Sequence, residues 1–140
     1  MIKYNKLPHN ILALLPKVES CLKLESDIAF AYLFGSLAQG DPKPLSDVDI
    51  AIYFSDESDI LERKLQILGQ LMDLLETDEI DLVILNTAPL TLRWKILETR
   101  KVLVDNLPFL RHQYESLTMR EYFDFSIKEM AILGRRFLSG

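Results

Sequence analysis

Two small groups of residues in the first half of the chain have the types and spacing for phosphate and metal chemistry. Gly35 and Ser36 form the first group, and ten residues separate them from Asp47 and Asp49, which form the second. Gly35 permits a sharp turn and close approach by a ligand. Ser36 suits the start of a short helix, where unpaired N–H groups favour a phosphate. Asp47 and Asp49 are two residues apart at the start of a predicted strand, so their carboxylates leave the same face.

The two carboxylates on one face predict a divalent cation. Two carboxylates this close repel each other, and burying either of them costs free energy. A cation between them would explain the arrangement. Mg²⁺ prefers oxygen ligands, binds few protein carboxylates and shares the rest of its shell with substrate phosphates. A phosphate-binding turn beside such a pair therefore predicts chemistry on a nucleoside triphosphate, whereas either group alone is a common loop sequence.

A third carboxylate lies on another predicted strand, residues 79–85. Its two-residue alternation puts Asp81 on the face of Val83 and Leu85, which should be apolar. A carboxylate there is costly unless it is paired or binds a metal, so Asp81 is a candidate third acidic residue of the site. Four cations are candidates for a triphosphate contact, although a solvated loop or helix-end charge explains each of them better: Lys43, Arg93, Arg100 and Lys101.

The elements that must position these residues alternate between strands and helices. An apolar strand over 28–34 leads into Gly35, and a second over 50–54 follows Asp49. The connection between them is too short for a parallel crossover, so the two strands are predicted to be antiparallel. Two further helices are predicted over 8–24 and 89–98. A third, about 16 residues long, begins after a capping box formed by Asp59 and Glu62. A short strand is predicted over 102–104. The fold class is α/β, a small mixed β-sheet flanked by helices.

Residues 107–138 are predicted to form one long or broken helix that carries many aromatic side chains and arginines. The sheet is small, and this segment offers more aromatic surface than such a sheet needs. Aromatic residues and arginine are enriched in the cores of protein interfaces. The stretch from Arg111 to Phe137 is therefore predicted to dock a partner protein. His112 in the same helix is expected to pair with Glu115 or to face solvent.

Composition limits the possible classes of protein. A chain of 140 residues predicts one domain, 1–140, with its core over about 28–104 and a helical C-terminal segment over about 107–138. A net charge of -5 argues against direct binding of nucleic acid, which usually requires a basic face. No apolar run approaches the ~18 residues of a membrane span, so no membrane association is expected. The single cysteine, Cys21, fits a reducing cytoplasm.

The pattern Gly35-Ser36, ten residues, then Asp47-Val48-Asp49 resembles the signature of the polymerase-β-type nucleotidyltransferase superfamily. The flanking stretches Leu33 to Gly40 and Leu45 to Ala51 are similar to its smallest branch. That branch is the minimal nucleotidyltransferase (MNT) proteins, which are encoded beside HEPN-domain toxins. The resemblance covers residues 28–104 and implies a polymerase-β-like fold.

The resemblance implies transfer of AMP from ATP, with two Mg²⁺ ions as the cofactor. Asp47 and Asp49 would bind the metals, and Gly35 and Ser36 would hold the β- and γ-phosphates. Asp81 would bind the metal on the nucleophile side and take the proton of the acceptor hydroxyl. It further implies an antitoxin that adds AMP to a tyrosine of a HEPN ribonuclease toxin. Two alternatives stay open. One is a small-molecule nucleotidyltransferase of the aminoglycoside type, which usually carries an added substrate domain. The other is a non-catalytic antitoxin that acts by binding.

Overall fold

The computed structural model describes residues 11–40 and 47–138, which fold around one four-stranded sheet. The strands are β1 (Ile28–Phe34), β2 (Val48–Phe54), β3 (Ile80–Ile84) and β4 (Lys101–Asp105). The helices are α1 (Ile11–Lys23), α2 (Gly35–Ala38), α3 (Ile60–Leu75), α4 (Leu90–Thr99) and α5 (Pro108–Leu138). None of the helices in these two ranges is long and apolar enough to cross a membrane.

The sheet is mixed, with the strand order β3-β2-β1-β4. β1 is antiparallel to both β2 and β4, whereas β2 and β3 are parallel. A parallel pair needs a long crossover, and α3 provides it between β2 and β3. The predicted α/β class, the mixed sheet and the antiparallel pairing of the first two strands are confirmed.

Helices cover both faces of the sheet. α1 and α3 pack on one face, and α4 with the first half of α5 packs on the other. β1 lies inside the sheet and is covered on both sides, so all seven of its residues are buried. This double coverage explains why its sequence is a continuous apolar run and does not alternate with polar residues.

The predicted length of α3, about 16 residues, is confirmed, but the sequence describes its start wrongly. Asp59 is the N-cap residue by position, yet its side chain makes no capping hydrogen bond and its φ is +54°. A capping side chain normally requires an extended backbone, and the left-handed conformation of Asp59 turns the side chain away. Only its main-chain carbonyl contributes, by accepting the N–H of Arg63 at 3.0 Å.

The other boundaries agree closely with the sequence. Residues 8–10 of the first predicted helix and Lys43 lie outside the described residues. α1 runs on to Lys23 with Pro16 inside it. The C-terminal segment is a single 31-residue helix, which resolves the choice between a long and a broken one.

Candidate active site

The sheet brings two of the predicted carboxylates together. Asp49 is paired with Asp81 across the parallel strands β2 and β3, and with Phe34 across β1 and β2. Paired residues of neighbouring strands project to the same face, here the face covered by α4 and α5. A cavity of about 330 Å³ lies there and is lined by Gly35, Asp49 and Asp81, together with Phe34, Leu92, Lys95 and Thr99. Asp47 directly precedes β2 and is half-buried.

Gly35 is in direct contact with Asp49. It is the first residue of α2, and its φ of +73° lies in the left-handed region that favours glycine. A Cβ built on Gly35 would overlap Asp49 Oδ2 and lie 3.3 Å from Asp49 Cγ. The missing side chain therefore allows the carboxylate to approach the turn. Ser36 is the second residue of the same short helix, so it lies at a helix start as the sequence predicts. Its side chain is half-buried.

The backbone of this turn is held by the end of α4. The N–H of Gly35 donates a hydrogen bond to Thr99 Oγ1 at 2.9 Å, across 64 residues of sequence. Thr99 is the last residue of α4. The sequence gives no sign of this bond, because it depends on how α4 packs against the start of α2. The bond fixes the orientation of the turn beside Asp49.

α4 also contributes a cation that sequence reasoning did not identify. Leu92, Lys95 and Thr99 line the cavity, and their spacing of three and four residues places them on one helix face. The Lys95 side chain is exposed and belongs to the same cavity as the two carboxylates. The helical spacing of Lys95 from Leu92 and Thr99 is the signal that identifies it.

The arginines proposed from the sequence are engaged elsewhere. Arg93 forms an ion pair with Glu121 at 3.1 Å and Arg100 one with Glu115 at 2.9 Å, so both join α4 to α5. Neither lines the cavity. Lys101 is exposed on the edge strand β4. The candidate role of Arg93 and Arg100 as triphosphate contacts gains no support from this arrangement, in which both guanidinium groups pair with carboxylates of α5.

A buried carboxylate anchors the end of α4. Glu115 on α5 is 6% exposed. It accepts a hydrogen bond from the Tyr32 hydroxyl at 2.7 Å and forms ion pairs with Arg100 at 2.9 Å and with Arg111 at 3.1 Å. Burial and the neighbouring Glu115 carboxylate raise the pKa of the Tyr32 hydroxyl above its ordinary range. Arg100 directly follows Thr99 in the sequence. The ion pair between Arg100 and Glu115 therefore helps to fix the position of Thr99, which accepts the hydrogen bond from the Gly35 N–H.

His112 does not join this cluster. Its ring is exposed, and its Nε2 lies 3.4 Å from Arg111 Nη2. The three partners described above occupy Glu115, so the predicted pairing of His112 with Glu115 is wrong and the alternative, exposure to solvent, is confirmed.

The donor set suits an ion that completes its shell with a substrate. In residues 11–40 and 47–138, no three His, Cys, Asp or Glu side chains converge closely enough to hold a metal by themselves. Asp47 and Asp49 each interact with other groups of the protein. At the cavity, Asp49 and Asp81 offer carboxylate oxygens from neighbouring strands. Mg²⁺ commonly takes one or two carboxylates and obtains its remaining ligands from phosphates and water, so these residues fit it.

The second half of α5 forms an exposed apolar surface. Every residue from Ile127 to Leu133 is exposed, including Met130 at 71%. Further exposed apolar side chains along the helix are Phe109, Leu117, Met119, Phe123 and Phe125. The first half is anchored, since Tyr114 donates to the carbonyl of Leu85 at 2.7 Å. Many large apolar side chains exposed along one helix are typical of a binding face.

Comparisons with known proteins agree with this geometry. The family model described as polymerase beta, nucleotidyltransferase matches residues 16–108. No curated protein sequence gives a significant match.

Among solved structures, a chain of a toxin–antitoxin complex with AMP-PNP is 23% identical, with a TM-score of 0.68 over 89% of this chain and 97% of that chain. A chain of the tri-AMPylated Shewanella oneidensis HEPN toxin in complex with MNT antitoxin is 21% identical, with a TM-score of 0.67 over 91% of this chain and 98% of that one. A mutant MntA toxin–antitoxin structure is 26% identical, with a TM-score of 0.65 over 94% and 99%.

Proposed function

This chain belongs to the polymerase β nucleotidyltransferase family, and on that premise we propose that it is a protein adenylyltransferase that acts as an antitoxin. It transfers AMP from ATP to a tyrosine of a HEPN ribonuclease toxin. The observation that carries this proposal is the pairing of Asp49 with Asp81 beside Gly35 in one cavity. Two carboxylates from neighbouring strands next to a tight turn are suited to nucleotidyl transfer.

The proposed roles follow from the position of each side chain. Asp49 and Asp81 at the cavity, with Asp47 just before β2, would supply carboxylate oxygens to Mg²⁺, and substrate phosphates and water would complete its shell. When bound, the ion neutralises triphosphate charge and orients the α-phosphate. The α2 turn at Gly35 and Ser36 binds the β- and γ-phosphates, and the Lys95 ammonium adds positive charge on the α4 side.

The reaction itself is an in-line displacement. The acceptor oxygen forms a bond to the α-phosphorus, the bond from that phosphorus to the bridging oxygen breaks, and pyrophosphate leaves. Asp81 lies on the strand next to Asp49 and accepts the hydroxyl proton of the acceptor. Its exposure gives an incoming hydroxyl access to the carboxylate.

The acceptor is proposed to be a toxin because the similar structures are toxin–antitoxin complexes, one of them tri-AMPylated. An AMP group adds negative charge and bulk, and near an RNA-cleaving centre both oppose the binding of RNA phosphates. The core over 28–104 then performs the chemistry, and the segment Arg111 to Phe137 docks the toxin through the exposed face of α5. The cytoplasm, where ATP is abundant, is the proposed compartment.

The test uses substoichiometric antitoxin. About one part of this chain to twenty parts of toxin should suffice, since a catalyst turns over. With ATP and Mg²⁺ together, the toxin mass should rise by whole AMP units and its ribonuclease activity should fall. Neutralisation without ATP, requiring equal amounts of the two proteins, would leave only the binding antitoxin. Label from ATP on an aminoglycoside, with none on the toxin, would favour the small-molecule enzyme.

A double variant tests the assignment of the site. Asp47→Asn combined with Asp49→Asn should abolish pyrophosphate release while leaving the circular dichroism spectrum and the toxin affinity unchanged. Asp73→Asn, on the exposed surface of α3, is the matched control and should retain full activity. Pyrophosphate release by the double variant at the wild-type rate would refute the assignment.

A further inference from the structure

β3 forms an edge of the sheet, and its outer side is free to pair. The bonds from Val48 N to Glu79 O (2.9 Å) and from Leu85 N to Ile52 O (2.8 Å) mark the two ends of its ladder with β2. In a parallel ladder alternate residues turn both N–H and C=O towards the partner strand, so those of Leu82 point outward. Within 11–40 and 47–138, no other strand covers this edge.

A groove of about 430 Å³ runs along this edge from Asp81 to Thr87. Leu61 and Lys64 of α3 form one wall, and Pro89 with Leu92 at the start of α4 forms the other. Asp81 and Leu92 also line the candidate active-site cavity, so the groove and the cavity are adjacent and share these two residues. The groove therefore leads to the carboxylate proposed to receive the acceptor's proton.

We propose that this β3-edge groove binds the acceptor protein as an extended segment that adds to the sheet and places its hydroxyl beside Asp81. The inference rests on the proposed function, because it names how the acceptor of that reaction is held. An unpaired strand edge is a general site for strand addition, in which main-chain bonds give affinity and side-chain pockets give specificity. The nucleotide occupies the opposite side of Asp81, at Gly35 and Asp49, so the two substrates approach from different directions.

The walls of the groove specify the sequence that fits. Side chains of an added strand alternate between faces, so the hydroxyl residue shares the face of Asp81 and its neighbours face α3. Residues two positions from the hydroxyl meet Leu92 and are apolar. Residues one or three positions away meet Leu61, which is 71% exposed, and the Lys64 ammonium. The fitting segment therefore carries a tyrosine, an apolar residue two positions away and a carboxylate on the alternate face.

Four single variants test the groove with the full chain and the HEPN toxin as acceptor. Leu61→Asp and Lys64→Glu change the α3 wall outside the catalytic cavity. Both should raise the KM for toxin about tenfold, as expected when an interface anchor is lost, with kcat and the ATP Kd unchanged. Leu24→Asp and Lys17→Glu make the same chemical changes on exposed positions in and just after α1, and should alter no constant more than about twofold. An unchanged ATP Kd and melting temperature show that each variant is folded.

Amide exchange supplies a readout of the backbone. With an ATP analogue that is not cleaved and saturating toxin, exchange of the Leu82 N–H should slow about tenfold or more. If the groove variants have the same KM for toxin as their controls, or if the Leu82 amide stays unprotected, while the wild type still transfers AMP, the proposed function stands and the proposed role of the groove is refuted. A chain that dimerises alone with Leu82 protected would overturn it as well. Absence of any transfer to toxin by the wild type would overturn the proposed function and the groove together.

Discussion

Replacing Gly35 with alanine should separate the close approach of Asp49 from the general cost of a left-handed backbone. The new Cβ would overlap Asp49 Oδ2 and lie 3.3 Å from Cγ. To regain ordinary contact, the carboxylate has to move by about 1 Å, and a displacement of that size in a reacting group costs about 100-fold in rate. We therefore expect Gly35→Ala to lower kcat about 100-fold.

Gly40 provides a matched control for backbone strain. Its φ of +74° is nearly that of Gly35, yet among residues 11–40 and 47–138 a Cβ built there has no neighbour within 4 Å. Either alanine should cost about 1–2 kcal/mol of stability for the left-handed conformation alone. For a domain of this size that corresponds to a melting temperature lowered by about 3–8 °C. Gly40→Ala should show this loss and keep kcat within about threefold of wild type, since it displaces no site residue.

A double-mutant cycle with Asp49→Ala isolates the clash. That change removes Cγ and Oδ2 and leaves Asp49 Cβ, which would lie at an ordinary 3.6 Å from the new atom. The destabilisation by Gly35→Ala, measured by urea unfolding, should then fall by about 1 kcal/mol to the value for Gly40→Ala. Pyrophosphate release gives the activity of the single variants. Equal loss of activity in the two alanine variants, or no coupling between Gly35 and Asp49, would refute the reasoning.

Three further predictions concern α4 and the ion pairs. Thr99→Val should lower kcat/KM for ATP about tenfold, because the turn loses a 2.9 Å acceptor and an unpaired donor costs about 1–3 kcal/mol; initial rates test this. Lys95→Gln should raise the KM for ATP about tenfold and weaken its salt dependence, measured at two ionic strengths. The hydrogen bond from Arg63 lowers the pKa of Asp27. Its stabilisation is therefore present above the unfolded pKa of about 4 and is lost as pH falls through the lower folded pKa. Asp27→Asn should cost about 1 kcal/mol at neutral pH and progressively less under acid conditions, measured by urea unfolding.

Each of these predictions has an internal control. Thr91→Val lies on the exposed surface of α4 and should leave kcat/KM unchanged, and Lys101→Gln should leave the KM for ATP unchanged. Asp73→Asn should alter stability by less than about 0.5 kcal/mol at any pH. A Thr99 variant with normal kinetics, a salt dependence unaffected by Lys95, or a pH-independent loss in the Asp27 variant would contradict the corresponding argument.

Local pattern was sufficient to predict most of the elements. β1 occupies 28–34 as predicted, because its apolar run is bounded by a charged residue and a glycine. The bounds of α3 follow from apolar side chains at helical spacing. The two-residue alternation of side chains along β3 also places Asp81 on the same face as Val83. The pairing of Asp81 with Asp49 in the structure is consistent with this placement. These features depend on neighbours within a few residues, which the sequence displays directly.

The features that sequence could not supply depend on packing between distant segments. The bond from Gly35 to Thr99 joins residues 64 apart, and no local pattern signals it. The rotation of α4 about its axis decides that Lys95 faces the cavity while Arg93 and Arg100 face α5. Glu115 is charged yet buried, because three partners from β1, α4 and α5 satisfy it. Propensity alone would place such a residue on the surface.

The two halves of α5 differ in how many substitutions the folded core can tolerate. Substitutions in the half that carries Glu115 and the buried Thr118 must preserve the folded core. The half from Ile127 to Leu133 is exposed throughout, so substitutions there leave that core intact. Its sequence can therefore change at little cost in stability. If the toxin docks on this face as proposed, a substitution there changes the docking surface while the buried residues that position Gly35 and Asp49 stay in place.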